Sequence, residues 1–418
     1  GAPVSMPGMM DTVLNLGLTL EGVEALARAT GNPRFAWDSL RRLLAMYGEV
    51  VLGERPEVFE GMLSALKAER GVGTDAALGP EDLEELAYRY LRHLEARGTP
   101  FPLDPWAQLQ GAIEAVFKSW QNPRARTYRR IYGIPEDLGT AVVVQAMVFG
   151  NLGEDSGTGV GFTRNPATGE KGLYGEYLRN AQGEDVVAGV RTPEPLERLK
   201  GYAPGLYEEL LQVAERLERH FRDMHDFEFT VERGRLFLLQ TRAGKRTAQA
   251  AVRIAVEMAE EGLISREEAV MRVEANALPG LLRPSVDRDQ APRPLLKGLP
   301  ASPGAAVGHA AFTNEAVERF HAQGLPAVLV RPETTPEDIT GMYLAKGILT
   351  ARGGLTSHAA VVARGLGVPA VVGAEALRVF PGEGRPLAEG VEIREGDLLT
   401  LDGGTGEVYL GAVPLVEA

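Results

Sequence analysis

Apolar residues recur every three or four positions between residues 32 and 133, which is the spacing of amphipathic helices. Four of these segments open with a proline, a residue that fits the first turn of a helix; the prolines are Pro33, Pro56, Pro80 and Pro105. Asn32 and Asp104 precede two of them and are typical N-cap residues. We therefore predict a helical subdomain in this part of the chain, with solvated charged faces.

After residue 139 the pattern becomes that of β-strands. Short apolar or alternating runs predict strands, and they cover 140–149, 157–162, 226–232 and 235–241. The last two runs flank Arg233-Gly234, a tight turn, and so predict a hairpin. Helical spacing returns over 206–221, 245–261 and 265–275.

Six prolines between residues 279 and 303 predict a stiff, extended connector, and we place the main domain boundary there. Beyond it, short apolar runs predict strands over 305–312, 327–330, 347–349, 370–372, 397–400 and 407–410. Helical spacing predicts helices over 314–321, 337–343 and 357–364. The fold class is therefore an α/β multidomain protein with three parts, which are residues 1–245, a linker over 246–303, and a β-rich domain over 304–418.

Composition excludes several classes of protein. The chain has 418 residues, is 44% hydrophobic and 24% charged, and carries a net charge of −13, which argues against a general nucleic-acid binder. No apolar run approaches the ~18 residues of a membrane span, and no secretory start is visible, so we expect no membrane partner and a cytoplasmic protein. The absence of cysteine excludes disulfides, thiol nucleophiles and cysteine-ligated metals.

The strongest chemical signal is the segment that ends at His358. A predicted strand is followed by Gly353-Gly354, and then Thr356 or Ser357 can cap a helix that begins around His358. Backbone N–H groups at a helix start favour an anion and disfavour imidazolium, so we expect a neutral, nucleophilic ring that can accept a phosphoryl group.

His358 has a simpler interpretation as a residue that only caps a turn. Function is favoured because the glycines, the hydroxyl groups and the helix start coincide. A serine nucleophile at Ser357 is disfavoured because the Gly-x-Ser-x-Gly pattern is absent. Metal binding is disfavoured because no histidine or carboxylate stands three or four residues from His358.

The hairpin is the second candidate site. Asp226, Glu228 and Thr230 share one strand face, and Gln240 and Arg242 have the same parity on the partner strand. A face with two carboxylates, an amide and a guanidinium suits Mg²⁺ together with a polyphosphate. The alternative is an ordinary amphipathic hairpin with one solvated face.

Two glycine-containing segments give weaker signals. Residues 157–169 are glycine-rich, and residues 180–186 predict a polar turn that enters a strand. Neither matches the Walker A pattern, and neither opens a helix as a dinucleotide fingerprint would.

Together these segments closely resemble the pyruvate, phosphate dikinase family. The resemblance rests on residues 5–18, 161–171, 180–187, the hairpin and 353–358. Thr-Ser-His alone fits every relative with a swivelling phosphohistidine domain, such as phosphoenolpyruvate synthase and the first enzyme of the sugar phosphotransferase system. The Met-Pro-Gly-Met-Met stretch that starts at Met6 narrows the match to the dikinases.

The resemblance implies an incomplete ATP-grasp nucleotide-binding domain over 1–245, with a helical insertion at about 20–133, and a swivelling phosphohistidine domain over 304–418. His358 matches the phosphorylated histidine of the family. The nucleotide-facing positions are Glu184, Asp185, Asp226, Glu228, Gln240 and Arg242, and of these Glu228 and Gln240 match the Mg²⁺ ligands. Thr356 matches a threonine that is reversibly phosphorylated in plant members.

The reaction implied is ATP, phosphate and pyruvate to AMP, pyrophosphate and phosphoenolpyruvate, through phosphohistidine. The Pro-rich connector is the expected hinge, and the full-length family member is expected to be a homodimer. We also expect the sequence to begin inside the nucleotide domain and to end before the barrel that binds pyruvate, so that this chain alone lacks pyruvate chemistry. The alternatives are a related phosphoenolpyruvate synthase-like phosphotransferase and an inactive nucleotide-binding module.

Overall fold

The computed structural model describes residues 1–187, 191–275, 278, 281, 283–287, 289–378, 387–388 and 391–417. The chain divides into two compact units, Gly1–Met147 and Val148–Ala418, and each is considered by itself. No helix in the described part of the chain is long and apolar enough to cross a membrane.

The first unit is built from helices, as the apolar spacing predicts. They are α1 (Leu20–Thr30), α2 (Pro33–Val50), α3 (Pro56–Arg70), α4 (Pro80–Ala96), α5 (Pro105–Ser119) and α6 (Pro123–Tyr132). The Asn32 side chain accepts a hydrogen bond from the Phe35 amide at 3.0 Å, and Asp104 accepts one from the Trp106 amide at 3.2 Å. Both predicted caps are therefore confirmed.

The core of this unit lies between α2, α3 and α4. Leu40, Leu44 and Tyr47 of α2 pack with Leu83 and Leu86 of α4 and are almost completely buried. These positions are the predicted apolar stripes, so burial of the stripes organises the helices.

The predicted strand over residues 140–149 is wrong. The segment contains no strand, and Val143 and Val144 are exposed. Only Ala141 exchanges backbone hydrogen bonds, and its partner is Gly1. β-Branched residues favour an extended backbone, but a strand also requires a neighbour along its length, which no described segment provides.

The second unit begins with a five-stranded antiparallel sheet in the order β3-β2-β1-β4-β5. The strands are β1 (Gly157–Arg164), β2 (Lys171–Arg179), β3 (Glu194–Pro195), β4 (His225–Glu232) and β5 (Arg235–Ala243). The associated helices are α7 (Gly183–Val187), α8 (Leu199–Tyr202), α9 (Pro204–Phe221), α10 (Ala248–Glu260) and α11 (Arg266–Met271). The predicted strand at 157–162, the predicted helix at 206–221 and the predicted hairpin are confirmed.

Helices cover both faces of this five-stranded sheet. We call it the nucleotide sheet, because it contains the hairpin residues that the family resemblance assigns to nucleotide binding. Phe227 and Phe229 pack in a cluster with α9, whereas Phe162 packs in a cluster with α10 and α11. The second face also carries the polar hairpin residues, because residues of one parity share a face.

An eight-stranded sheet follows, in the order β7-β17-β16-β9-β10-β11-β12-β8, and β9 to β12 are parallel. Its strands are β7 (Leu296–Lys297), β8 (Leu299–Ser302), β9 (Ala305–Ala311), β10 (Ala327–Arg331), β11 (Gly347–Thr350), β12 (Ala370–Val372), β16 (Leu398–Asp402) and β17 (Glu407–Leu410). The helices α12 (Asn314–Ala322), α13 (Ile339–Leu344) and α14 (His358–Leu366) connect the parallel strands. All six predicted strands and three predicted helices of this region are confirmed.

Smaller strand groups complete the unit. They are β6 (Ser285–Val286) paired with β18 (Leu415–Val416), and the ribbon β13 (Leu377–Arg378), β14 (Leu387–Ala388) and β15 (Val391–Glu392). Much of the predicted connector at 279–303 lies in the described ranges, but residues 279, 280, 282 and 288 do not. The predicted domain boundaries remain predictions.

Arg164 ties the nucleotide sheet to two helices. It is fully buried at the end of β1, and its guanidinium contacts Glu218 of α9 at 3.1 Å, Glu257 of α10 at 3.3 Å and Glu261 beside α10 at 3.0 Å. A buried cation of this kind requires its anionic partners, and the partners in turn depend on it.

Replacing Arg164 with Met should lower the free energy of unfolding by about 3–5 kcal/mol, because three glutamates lose their common cation. The matched control is Arg219→Ala on α9, whose ion pair with Glu215 is exposed and should contribute less than about 1 kcal/mol. Urea denaturation followed by circular dichroism measures both changes. Equal effects of the two substitutions would show that the buried ion pairs of Arg164 do not stabilise the fold more than an exposed pair does.

Candidate functional site

His358 is the first residue of α14, as predicted. Ser357 occupies the N-cap position with an extended backbone, but its hydroxyl donates to the Gly354 carbonyl at 2.8 Å instead of accepting from the helix. The cap is therefore formed by backbone conformation, and the Ser357 side chain stabilises the loop before the helix.

The two nitrogens of the His358 ring have different environments. Nδ1 lies 3.1 Å from the Thr334 hydroxyl, whereas Nε2 is buried without a hydrogen-bond partner among the described residues. The side chain is 6% exposed, and burial lowers the pKa of His358 to about 4. The ring is therefore neutral at pH 7, with burial as the cause, whereas we expected the helix start to be the cause.

The sequence reasoning missed Thr334. It lies in the turn between β10 and the 3₁₀ turn Pro336–Asp338, which brings it to the start of α14. A threonine between two prolines has no chemical signature of its own, so only the tertiary fold identifies this contact.

The loop before His358 docks on the nucleotide sheet through Glu176 of β2. The Glu176 carboxylate accepts hydrogen bonds from the backbone amides of Leu355 and Thr356, the latter at 3.1 Å, and from the Thr356 hydroxyl at 2.7 Å. A Cβ atom on Gly354 would overlap this carboxylate, so a larger residue there would displace the Glu176 side chain from its hydrogen bonds. Sequence reasoning found Gly354 and Thr356 but not their partner Glu176.

Burial raises the pKa of Glu176, whereas the hydrogen bonds from Thr356 and Leu355 and the positive charge of Arg364 act in the opposite direction. The ionised form of Glu176 is therefore stabilised by donors that belong to the loop before His358.

The strand register brings the predicted hairpin residues onto the same face as Glu176. Glu176 pairs with Val160, Val160 pairs with Glu228, and Glu228 pairs with Gln240, so these residues form one row across the sheet. Paired residues in antiparallel strands point to the same side. The His358 loop and the candidate nucleotide residues therefore share one face.

A bulge in the hairpin makes this arrangement possible. Phe229 pairs with Leu238, but Glu228 pairs with Gln240, so Leu239 is the extra residue. Without the bulge, Leu239 would stand opposite Glu228, and Gln240 would point to the other face. The sequence predicts the shared parity of Gln240 and Arg242, but it does not reveal the bulge.

Arg242 links the two carboxylates of the hairpin. Its guanidinium contacts Asp226 at 3.1 Å and Glu228 at 2.9 Å. Burial raises the pKa of Asp226 to about 6, although Arg242 opposes the shift. Gln240 is exposed beside Glu228. Arg242 and the two carboxylates thus form a charged cluster, and Gln240 lies at its exposed edge.

Glu184 and Asp185 lie on α7, and the predicted turn into a strand at 180–186 is wrong. Asp185 accepts a hydrogen bond from the Gln182 amide at 3.0 Å and its own amide donates to the Gln182 carbonyl, which starts a helical turn. Gly183 lies near Thr158, which pairs with Thr230 of β4. The structure therefore places both acids near the same sheet, at the end opposite Asp226.

The donor set of the hairpin suits Mg²⁺ only in part. Within the described residues, no group of three or more histidine, aspartate or glutamate side chains is arranged to hold a metal. Glu228 and Gln240 offer one carboxylate and one amide oxygen on directly paired positions. Mg²⁺ commonly binds one or two carboxylates together with substrate phosphates and water, so these residues fit a metal that arrives with a nucleotide.

Comparison with known proteins gives two family matches. The model described as "Pyruvate phosphate dikinase, AMP/ATP-binding domain" matches residues 2–201 and 206–263, and that described as "PEP-utilising enzyme, mobile domain" matches residues 325–406. The second match contains His358, and the first contains the nucleotide sheet.

The chain is also similar to curated proteins called pyruvate, phosphate dikinase. It is 53% identical to those of Rhizobium meliloti and Clostridium symbiosum over its whole length, and 53% identical over 98% of its length to a chloroplastic protein of Arabidopsis thaliana. It covers 48%, 48% and 43% of these relatives, respectively. The chain therefore spans about half the length of the curated relatives it matches.

Replacing Glu176 with Gln should weaken the docking of the His358 loop, because a neutral amide is a poorer acceptor for three donors than a carboxylate. Hydrogen exchange of the Leu355 and Thr356 amides should accelerate by about tenfold or more, as expected for loss of a charge-assisted hydrogen bond. Glu197→Gln, at an exposed position, is the matched control. Unchanged exchange in the Glu176 variant would show that the carboxylate does not hold the loop.

The His358 ring should titrate near pH 4 in the docked chain. Burial of the docked ring lowers its pKa from 6.5, so the undocked ring binds a proton more readily than the docked ring. As pH falls from 6.5 to 4, protonation therefore disfavours the docked state, by about 3 kcal/mol in total. ¹⁵N–¹H correlation spectra of the imidazole measure the midpoint. A midpoint close to 6.5 would contradict the buried, neutral ring.

Proposed function

The chain belongs to the pyruvate, phosphate dikinase family, and we propose that it performs the ATP-dependent part of that family's reaction, with His358 as the phosphoryl carrier. One observation carries the proposal. A neutral histidine with a free ring nitrogen closes on the sheet face that also presents Asp226, Glu228, Gln240 and Arg242.

In this proposal the nucleotide sheet and its helices are an ATP-grasp domain. Arg242 holds the hairpin carboxylates in place and neutralises part of their charge. Gln240 and Glu228, at the exposed edge, face the phosphates of ATP, and Glu184 and Asp185 contact the nucleotide farther along the same sheet. The strand register supports the roles of the hairpin residues, and the position of α7 beside Thr158 supports those of Glu184 and Asp185.

Glu228 and Gln240 would hold Mg²⁺ together with the phosphates of the bound nucleotide. When bound, the ion neutralises the charge that develops on the transferred phosphates. Glu228 also contacts Arg242, so the guanidinium orients this carboxylate.

His358 acts through Nε2, because Nδ1 is engaged with Thr334. The Nε2 lone pair attacks the β-phosphorus of ATP, the bond from that phosphorus to the oxygen of the α-phosphate breaks, and AMP leaves with the bridging oxygen. Phosphate then takes the terminal phosphoryl group as pyrophosphate, and phosphohistidine remains. In the whole protein that group passes to pyruvate to give phosphoenolpyruvate.

The carrier must be uncovered before it reacts. With His358 6% exposed and Nε2 buried, the docked state protects the imidazole from water. In-line attack requires the nitrogen and phosphorus to be about 3–3.5 Å apart, so the loop has to shift relative to the nucleotide sheet. We propose the Pro-rich connector as the hinge of this movement.

The same proposal includes a homodimeric full-length protein in the cytoplasm. Some relatives have names that mark them as chloroplastic. Phosphate, pyrophosphate, pyruvate and phosphoenolpyruvate are the remaining proposed reactants.

Incubation with Mg²⁺ and ATP labelled with ³²P at the β-position should place alkali-stable label on His358. His358→Asn should abolish the label. His321→Asn, which changes an exposed histidine on α12 of the same domain, should retain it. Label that persists in the His358 variant would overturn the site assignment. Nucleotide binding without label would support the inactive module, and pyrophosphate release without added phosphate would oppose a dikinase.

A further inference from the structure

Arg364 is a buried cation that the proposed reaction leaves unused. It lies on α14, six residues after His358, and is 2% exposed. One guanidinium nitrogen, Nη1, donates to the Ala301 carbonyl at 3.2 Å, whereas Nε and Nη2 are buried and have no hydrogen-bond partner in the described part of the chain. A guanidinium with five donors is seldom buried with a single bond, so its surroundings need an explanation.

The guanidinium faces the nucleotide sheet. Its central carbon lies 5.8 Å from the ring centroid of Phe162, within the range of a cation–π contact. Phe162 pairs directly with Asp226 on one side and with Tyr174 on the other. Arg364 therefore projects from the domain of His358 onto the row of the sheet that contains Asp226.

The charges around Arg364 have a consistent sign. Glu176 and Asp226 are the carboxylates of the sheet that act on it electrostatically, while burial lowers the pKa of Arg364. Glu176 binds the loop before His358, so the same interface contains one carboxylate under the loop and a second beyond Phe162. The single cation supplied by α14 thus balances carboxylates that belong to the sheet.

This placement fits a reversible contact better than a permanent one. A buried guanidinium with one hydrogen bond carries a large desolvation cost, which water removes whenever the two surfaces separate. Charge complementarity of this kind fixes the register and partner of a contact more than it increases the affinity. A neutral residue at position 364 would pack there, but it would not select this row of the sheet.

We propose that Arg364 is a positioning residue for phosphoryl transfer from the nucleotide side: it registers the domain of His358 against Phe162, Glu176 and Asp226. The inference rests on the proposed function and adds a residue to it. Arg364 acts through the position of His358 and does not touch the reacting atoms. It is therefore needed when ATP is the donor and not when a small donor reaches the ring from solvent.

The test compares two phosphoryl donors on the same chain. Arg364→Gln should slow ATP-dependent phosphorylation of His358 by about tenfold, since the variant loses the attraction to the sheet carboxylates and the contact with Phe162 that set the register. Phosphorylation of His358 by potassium phosphoramidate should proceed at an equal or faster rate, because a loosened interface exposes the ring. Peptide mass spectrometry reports both rates.

Two further variants make the outcome specific. Arg364→Lys keeps the positive charge and should recover part of the ATP-dependent rate. Arg319→Gln removes an exposed cation of the same domain, paired with Glu395, and should change neither rate. Urea denaturation of every variant reports whether the fold is retained.

An ATP-dependent rate within twofold of the unsubstituted chain would overturn the proposal, as would a parallel fall of both rates in Arg364→Gln. If the unsubstituted chain gains no label from ATP, the proposed function fails instead. In that case the phosphoramidate comparison still decides the docking role: a slower or equal reaction in Arg364→Gln overturns it, and a faster one supports it.

Discussion

The site depends on one carboxylate. Glu176 accepts hydrogen bonds from two backbone amides and a hydroxyl of the loop that leads into His358, and it thereby bonds the eight-stranded domain to the nucleotide sheet. Hydrogen bonds to a charged group contribute about 1.5–3 kcal/mol each, whereas burial of a carboxylate costs several kcal/mol. The two effects are of similar size, so a contact of this kind is ordered but reversible.

That balance is what the proposed carrier role of His358 requires. A permanently sealed imidazole would be inert, and a permanently open one would expose a labile phosphoramidate to water. Docking by a few polar contacts allows the ring to alternate between the two states. The Thr334 contact keeps Nδ1 engaged, so that Nε2 is the nitrogen available when the ring is uncovered.

Much of the fold follows from local patterns. The prolines and N-cap residues that open helices in the first unit are local signals, as are the alternating strands of the hairpin, and the structure confirms them. The run at 140–149 failed because β-propensity is local but strand pairing is not. The segment at 180–186 failed because Asp185 caps a helical turn, a contact that competes with an extended backbone.

The candidate site was predictable from the sequence only where its functional groups are close together along the chain. His358 with its glycines, hydroxyls and helix start is such a case. The sequence does not identify Glu176, Thr334 and Arg364, because the partner of each residue lies far away along the chain. The bulge at Leu239 is intermediate, since one inserted residue decides which face Gln240 and Arg242 occupy, and no residue type marks it.

Distance measurement across the docked contact tests the central claim most directly. The chain has no cysteine, so cysteines introduced at Arg235 of the nucleotide sheet and at Gln323 after α12 accept a fluorophore pair selectively. Single-molecule energy transfer without nucleotide should give one narrow distribution, which Glu176→Gln broadens toward longer distances. A broad distribution in the unsubstituted chain, or a narrow one that Glu176→Gln leaves unchanged, would contradict docking through this carboxylate.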